Sequence, residues 1–317
     1  MMARAPGKVV LSGAYAVLEG APALVAAVDR YVVADPRREA EFVTPEVREA
    51  LDHRGATRAP WFDARALRDE ATDRKLGLGS SAAILVASLA ALELGTEPTL
   101  DDSALARRVF DGALSAHRIA QGGGSGIDVA ASAFGGVLRF QLPSERGVLP
   151  ITEQVELPKS LVIGVWSSAS AASTAVMLAG VETLKKERPN EHRAVLDELA
   201  GAADATLRAI TGSAYIAACR RQLAGLASLG RLAQVPIVTS EVAELDRAAQ
   251  IAGAAVLPSG AGGGDIVLMI SEKPPPADLE AAARRLGLVP LDLTLGARGV
   301  HASAESRVEN GRNKISP

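Results

Sequence analysis

A single cysteine, Cys219, excludes an intramolecular disulfide, and no CxxC pair is present to hold zinc. The chain is therefore expected in a reducing compartment, the cytoplasm. Long apolar runs are also lacking. The stretch 82–92 falls well short of the ~20 residues that a membrane-crossing helix needs, and no apolar signal core precedes the Pro6-Gly7 turn. Neither sign of charge dominates: 34 Lys and Arg against 37 Asp and Glu leave a formal net charge of −3. Such a balance offers no general attraction to nucleic acid or to an anionic membrane, so neither is expected as a partner. Aromatic residues make up only 3%. The interior must then be filled by Ala, Val, Leu and Ile, and Ala-rich helices should pack closely.

What is present is a globular balance of 48% hydrophobic and 22% charged residues over 317 positions, enough for two domains. Short β-branched runs at 9–11 and 23–33 read as strands, and 37–74 as a strand-and-loop excursion. The almost wholly apolar segment 80–94 is long enough for a buried helix. Asp101 or Asp102 is placed to cap a second helix reaching about residue 120. The proline-interrupted stretch 142–159 reads as a domain boundary. Beyond it come a strand at 161–166 and helices over 172–186, 191–210, 213–229 and 240–252. The second half closes with a strand at 254–257, a glycine-rich loop, a strand at 266–270, a helix at 276–286 and a strand at 289–293. This alternation predicts an α+β protein with domains at 1–155 and 156–304, and a disordered polar tail at 305–317.

The most informative segment is Lys75-Leu76-Gly77-Leu78-Gly79-Ser80-Ser81-Ala82, which leads straight into the buried helix. Its glycines permit a tight bend and close backbone approach, and its amides, the helix N-terminus and two hydroxyls converge on one point. Those are the makings of a phosphate site. The spacing also satisfies a permissive dinucleotide-binding fingerprint, but no second strand bearing an acidic residue follows ~20 residues later. No Gly-Lys-Ser/Thr closes a Walker loop. Taken alone, the segment also admits a tight helix start with no ligand as the lesser alternative.

Two further segments stand out. Pro258-Ser259-Gly260-Ala261-Gly262-Gly263-Gly264-Asp265 carries more glycine than a hairpin turn requires, which suggests close approach to a ligand, with a mobile hairpin as the alternative. Ala5-Pro6-Gly7-Lys8, running on to Leu18, pairs with the turn Gly122–Asp128. Singly, Lys8 reads as a solvated lysine and Asp128 as a helix cap. His53, His192 and His301 lack metal-ligand spacing and read as surface residues, Cys219 as a small core residue, and Trp61 and Trp166 as packing residues.

In this order and spacing, the three segments resemble the signature motifs of the GHMP kinase superfamily, which includes galactokinase and the homoserine, mevalonate and phosphomevalonate kinases. The resemblance implies a ribosomal-protein-like N-terminal domain, a ferredoxin-like C-terminal domain, and ATP with Mg²⁺ in the cleft between them. It further implies ATP phosphates on Gly77, Leu78, Gly79, Ser80, Ser81 and Ala82, with the Ser80 and Ser81 hydroxyls on Mg²⁺. Asp128 becomes the candidate base or orienting acceptor and Lys8 its partner. Lys75, Arg118, Ser125, Ser173, Thr174, Ser259, Gly260, Gly262 and Gly263 are expected on the small-molecule acceptor, in a monomer or homodimer.

Within the superfamily, the string Ala116-His117-Arg118-Ile119-Ala120-Gln121-Gly122 through Asp128 is most similar to phosphomevalonate kinases. Counting back eleven residues from Asp128 gives His117, where mevalonate kinases carry a magnesium-binding glutamate. An imidazole is a poor ligand for so hard a cation. One departure is Ala14, where the first motif usually has glutamate. The implied reaction is ATP-dependent phosphorylation of 5-phosphomevalonate to 5-diphosphomevalonate. Mevalonate kinase, another GHMP small-molecule kinase and a non-catalytic nucleotide or metabolite sensor are the alternatives.

Overall fold

The computed structural model describes residues 1–145, 148–168 and 174–303. The expected tail therefore lies outside the described residues. The chain begins with β1 (Met2–Ser12) and β2 (Ala23–Glu39), an antiparallel pair of long strands. α1 (Pro45–Arg54) follows, then β3 (Pro60–Asp63), α2 (Ser80–Thr96), α3 (Asp102–Gln121), α4 (Ile127–Phe134), β4 (Val137–Gln141) and β5 (Ile151–Gln154). The second half runs β6 (Val162–Ser168), α5 (Thr174–Glu187), α6 (Pro189–Leu207), α7 (Gly212–Ala233) and α8 (Ser240–Ile251). It closes with β7 (Ala255–Pro258), β8 (Ile266–Ser271), α9 (Ala277–Arg285), β9 (Leu288–Leu291) and β10 (His301–Ser303).

These strands make two antiparallel sheets. One has the order β10-β1-β2-β4-β5, with β3 also on β2, and the other β7-β8-β6-β9. The architecture is α+β, as the alternation of elements predicts. Two departures have clear causes. The segment read as strand and loop contains α1, whose start is a Thr44 cap accepting the Val47 amide, with Pro45 in the first turn and Gly55 as a left-handed C-cap. Those are ordinary helix stop and start signals, masked here by weak periodicity and charge. Second, β10 returns from the far end of the chain to pair with β1, although 156–304 was assigned as one domain. Such pairing is non-local and leaves no sequence period.

α2 explains how so few aromatics suffice. Twelve of its 17 residues are buried, mostly Ala, Leu and Val, because it lies against β1 and β2 on one side and against α1, α3 and α4 on others. Small side chains let those neighbours approach, and each fully buried Leu adds about 1.5–3 kcal/mol of burial free energy. The N-terminus of α2 is thereby fixed to the sheet that carries β1. Cys219 and Trp166 are buried as expected, and Trp61 lies beneath the Arg38 guanidinium at 3.9 Å. His192 departs from its surface reading: it is buried on the inner face of α6.

Candidate active site

The three glycine-rich segments meet because β1 touches both of the others. The Lys8 amide donates to the Leu78 carbonyl (2.8 Å), and Lys8 Nζ reaches the Gly77 carbonyl at 3.4 Å. The Val10 amide donates to Ser259 Oγ (2.8 Å), and the Tyr15 hydroxyl to the Ala261 carbonyl (2.6 Å). The result is a cleft of about 690 Å³, walled by β1 and the turn after it, the loop before α2, the turn before α4, the start of α5 and the loop after β7. Its size suits a small-molecule site.

Two helix N-termini open on this cleft. α2 begins after Gly79 and α4 after Gly126, both in the left-handed conformation and neither with a side-chain cap. The first amides of α2 are left for an anionic ligand, whereas in α4 the Ile127 amide donates to Ser125 Oγ (3.3 Å). Gly77 and Gly79 also make room inside the protein. A Cβ on Gly77 would meet Asp265 at 2.9 Å, and one on Gly79 would meet the Lys8 stem at 3.0 Å.

Asp128, at the start of α4, accepts the Val129 amide on Oδ1 (3.0 Å) and faces His117 Nε2 with Oδ2 at 3.3 Å. Burial works against its charge, but the contact with His117 and the charge of Lys8 outweigh it and hold its pKa below the ordinary carboxylate value. Burial also lowers the Lys8 pKa, against the opposing charges of Asp128 and Asp265. For His117 burial is again the largest influence and favours the neutral ring. Asp128 and Glu46 together override it and raise the pKa above 6.5.

The structure brings most of the sequence-predicted residues to the cleft. Lys8, Lys75, Gly77, Gly79, Ser80, Ser81, Ser125, Asp128, Thr174 and Gly260 all line it. Leu78 and Ala82 are buried behind the loop. Arg118 is not on the wall; its guanidinium donates to the Ser125 carbonyl (3.1 Å) and braces the turn. Ser259 spends its hydroxyl on the β1 backbone. Gly262 and Gly263 pack on the chain near Ile237: the Gly263 amide donates to the Ile237 carbonyl, and a Cβ on Gly262 would overlap that same oxygen. Glycine at 262 is thus required by internal packing at φ +77. Ser173 lies outside the described residues.

Sequence reasoning missed the roles of Tyr15 and Asp265, whereas Arg74, beside the phosphate loop, was legible as a local counter-charge. Tyr15 is a buried non-glycine at φ +62 that ties the first segment to the third. Arg74 lines the cleft and donates to the Ser168 carbonyl at the end of β6, while the Ser168 amide donates to the Asp265 carbonyl (3.1 Å). Asp265 ends a quoted motif, which was the available signal.

Comparison with known proteins decides the family. The model of the GHMP kinases N terminal domain matches residues 53–136. A mevalonate kinase of Archaeoglobus fulgidus is 31% identical over 86% of this chain and 94% of its own. The chain belongs to the GHMP kinases. A phosphomevalonate kinase of Streptomyces sp. strain CL190 is 25% identical to this GHMP kinase, over 93% of this chain and 97% of its own. The structure of Streptococcus pneumoniae phosphomevalonate kinase in complex with phosphomevalonate and AMPPNP shares the fold. It has a TM-score of 0.71 and 21% identity, covering 93% of this chain and 99% of that one.

GHMP kinases use ATP with Mg²⁺. Among the described residues no cluster of three His, Cys, Asp or Glu side chains is placed to hold a metal by itself. Ser80 and Ser81 stand in the first turn of α2 and on the cleft wall. No helix among the described residues is long and apolar enough to cross a membrane.

Proposed function

We propose that this GHMP kinase transfers the terminal phosphoryl group of ATP to the phosphate of 5-phosphomevalonate, giving 5-diphosphomevalonate and ADP in the mevalonate route to isoprenoids. The observation that carries this reading is Asp128 set against His117 at 3.3 Å, with the charge of Lys8 also acting on its carboxylate. A carboxylate held below its ordinary pKa is a weak proton acceptor. An alcohol acceptor such as mevalonate keeps its proton until transfer and profits from a base. A phosphate monoester has its second pKa at about 6, so its attacking oxygen arrives already ionised. What it needs is positive charge and alignment, which Lys8, His117, Arg74 and Lys75 offer around one cleft.

The roles follow from that chemistry. The α2 N-terminus and the 77–82 loop hold the nucleotide phosphates, with Ser80 and Ser81 toward Mg²⁺, which supplies charge neutralisation on the phosphates when bound. Lys8 stabilises charge on the group in flight, and Asp128 fixes Lys8 in place. Lys75 and Arg74 face the acceptor's phosphate, with Ser125 and Thr174 nearby. The phosphorus–oxygen bond to ADP breaks as the bond to the acceptor oxygen forms.

The 31% identity to a mevalonate kinase favours the second reading, transfer to mevalonate itself. Measuring ADP release with mevalonate, 5-phosphomevalonate, homoserine and galactose separates the two. Turnover is expected with 5-phosphomevalonate, and much poorer turnover with mevalonate. Efficient use of mevalonate with none of 5-phosphomevalonate overturns the proposal, and no turnover with any acceptor leaves a binding protein.

A further inference from the structure

His117 is a buried imidazole, 3% exposed, on the cleft wall, and among the described residues neither of its ring nitrogens has a hydrogen-bond partner. A buried polar ring left in that state is costly unless it does something else. Its Nε2 lies 3.3 Å from Asp128 Oδ2. The other oxygen of that carboxylate accepts the Val129 amide, so the ring and the first turn of α4 meet its two oxygens from different elements.

The surroundings of the ring specify its charge. Glu46, on α1, is 6% exposed and held by the Gln121 amide group at 3.0 Å. It faces His117 from one side as Asp128 does from another. Arg118 acts on the ring from its own helix, and beyond Asp128 stand Lys8 and then Asp265. Asp128 and Glu46 are the carboxylates that act on the ring itself, and a protonated His117 offsets their charge. A neutral ring would leave the half-buried Asp128 and the buried Glu46 without that charge beside them, a costly arrangement.

We propose that His117, as an imidazolium, is the positioning residue that holds Asp128 and with it Lys8, so that loss of its proton sets the upper pH limit of phosphoryl transfer. The proposal rests on the reading of this cleft as the transfer site, but not on which acceptor it takes. The raised pKa that Asp128 and Glu46 give the ring agrees with it.

Glu46→Gln is the deciding variant. It keeps the shape and the Gln121 contact, lies off the cleft wall, and removes one of the two charges that favour the imidazolium. The first readout is the NMR titration of the His117 ring in the intact, ligand-free protein. Wild type should titrate above 6.5, and Glu46→Gln measurably lower than wild type. The second is kcat against pH with whichever acceptor turns over: it should fall roughly tenfold per pH unit on the alkaline side, with the limb shifted downward in Glu46→Gln by the same amount as the ring. His117→Gln should lower kcat at pH 7 by roughly 10–100-fold, as loss of supporting-shell contacts does. It should change KM for ATP little and remove that limb. A limb that stays in place in Glu46→Gln while the ring moves, or a wild-type ring titrating at or below 6.5, overturns the proposal. The titration needs no acceptor, so it stands apart from failure of the 5-phosphomevalonate reading.

Discussion

Gly79 and Lys8 occupy adjoining space: a Cβ on Gly79 would stand 3.0 Å from both Cγ and Cε of Lys8. The loop expected to bind phosphate and the lysine expected to act on it are therefore one packed unit. Gly79→Ala should push the Lys8 stem aside and strain a left-handed residue, at a cost of about 1–2 kcal/mol in stability. A displacement of even about 1 Å at the reacting group can cost 10²-fold, so kcat should fall at least tenfold while melting drops only modestly. Unchanged turnover would mean that the Lys8 position is not critical.

Gly262 behaves differently, because its absent side chain points at protein. Gly262→Val would overlap the Ile237 carbonyl at φ +77. Left-handed strain and overpacking together are worth about 2–5 kcal/mol. The variant should be destabilised, with activity lost in proportion to unfolding. Thermal melting beside specific activity of the folded fraction checks this. A normal melting temperature with no activity would mean that Gly262 faces ligand after all.

That contrast shows what the sequence could and could not convey. The glycine clusters marked the cleft because a bend at positive φ leaves a compositional trace. The reason for each glycine did not, since the atoms they make room for, on Lys8, Asp265 and Ile237, are distant in sequence. α2 was legible from its apolar length, and the Asp101 cap on α3 from the Asp pair that begins it. α1 was hidden by charge, and β10 by its return across the whole chain. His117 was conspicuous as a substitution, whereas Glu46 as its second carboxylate required α1 to be packed against α3. Asp265 and Tyr15 were quoted and left without roles, because each acts through a tertiary contact.

Asp128→Asn tests whether that residue is an anchor or a base. As an anchor for Lys8 it should lose roughly 10²-fold in kcat on neutralisation. The wild-type rate should show no acidic limb near 3.8, since burial is outweighed by His117 and Lys8 and the carboxyl stays ionised below that value. Steady-state kinetics down to the lowest pH at which the fold persists would reveal it. An acidic limb at 5 or 6 that vanishes in Asp128→Asn would restore the base.

The Asp128–His117 contact should also be visible in stability. Asp128, with its folded pKa depressed, contributes above about pH 3.8 and loses that contribution as the pH falls through the folded value. His117, with its folded pKa raised, contributes fully below 6.5 and loses it as the pH rises through the folded value. Both are present between those limits. The difference in denaturation midpoint between wild type and His117→Gln should therefore be largest near pH 5–6 and shrink above 6.5. A difference that grows on the alkaline side would put the ring in its neutral form.

The last expectation concerns Lys75. Arg74 beside it is partly engaged by the Ser168 carbonyl, whereas Lys75 is exposed and lines the cleft. An acceptor carrying a dianionic phosphate would enter a protein of net charge −3, so its affinity depends on local cations. Hydrogen bonds to charged groups are worth about 1.5–3 kcal/mol each. Losing one raises a dissociation constant by roughly ten- to a hundred-fold. Lys75→Met keeps the length of the stem and removes only the ammonium. It should raise KM for 5-phosphomevalonate by that factor, leave KM for ATP within about threefold, and become worse relative to wild type as ionic strength is lowered, because screening weakens exposed charge pairs. Its effect on any residual turnover of mevalonate should be small, since that acceptor brings no phosphate for Lys75 to hold. Equal losses with both acceptors would place Lys75 on the nucleotide, and an unchanged KM for both would leave Arg74 as the cation that selects the acceptor.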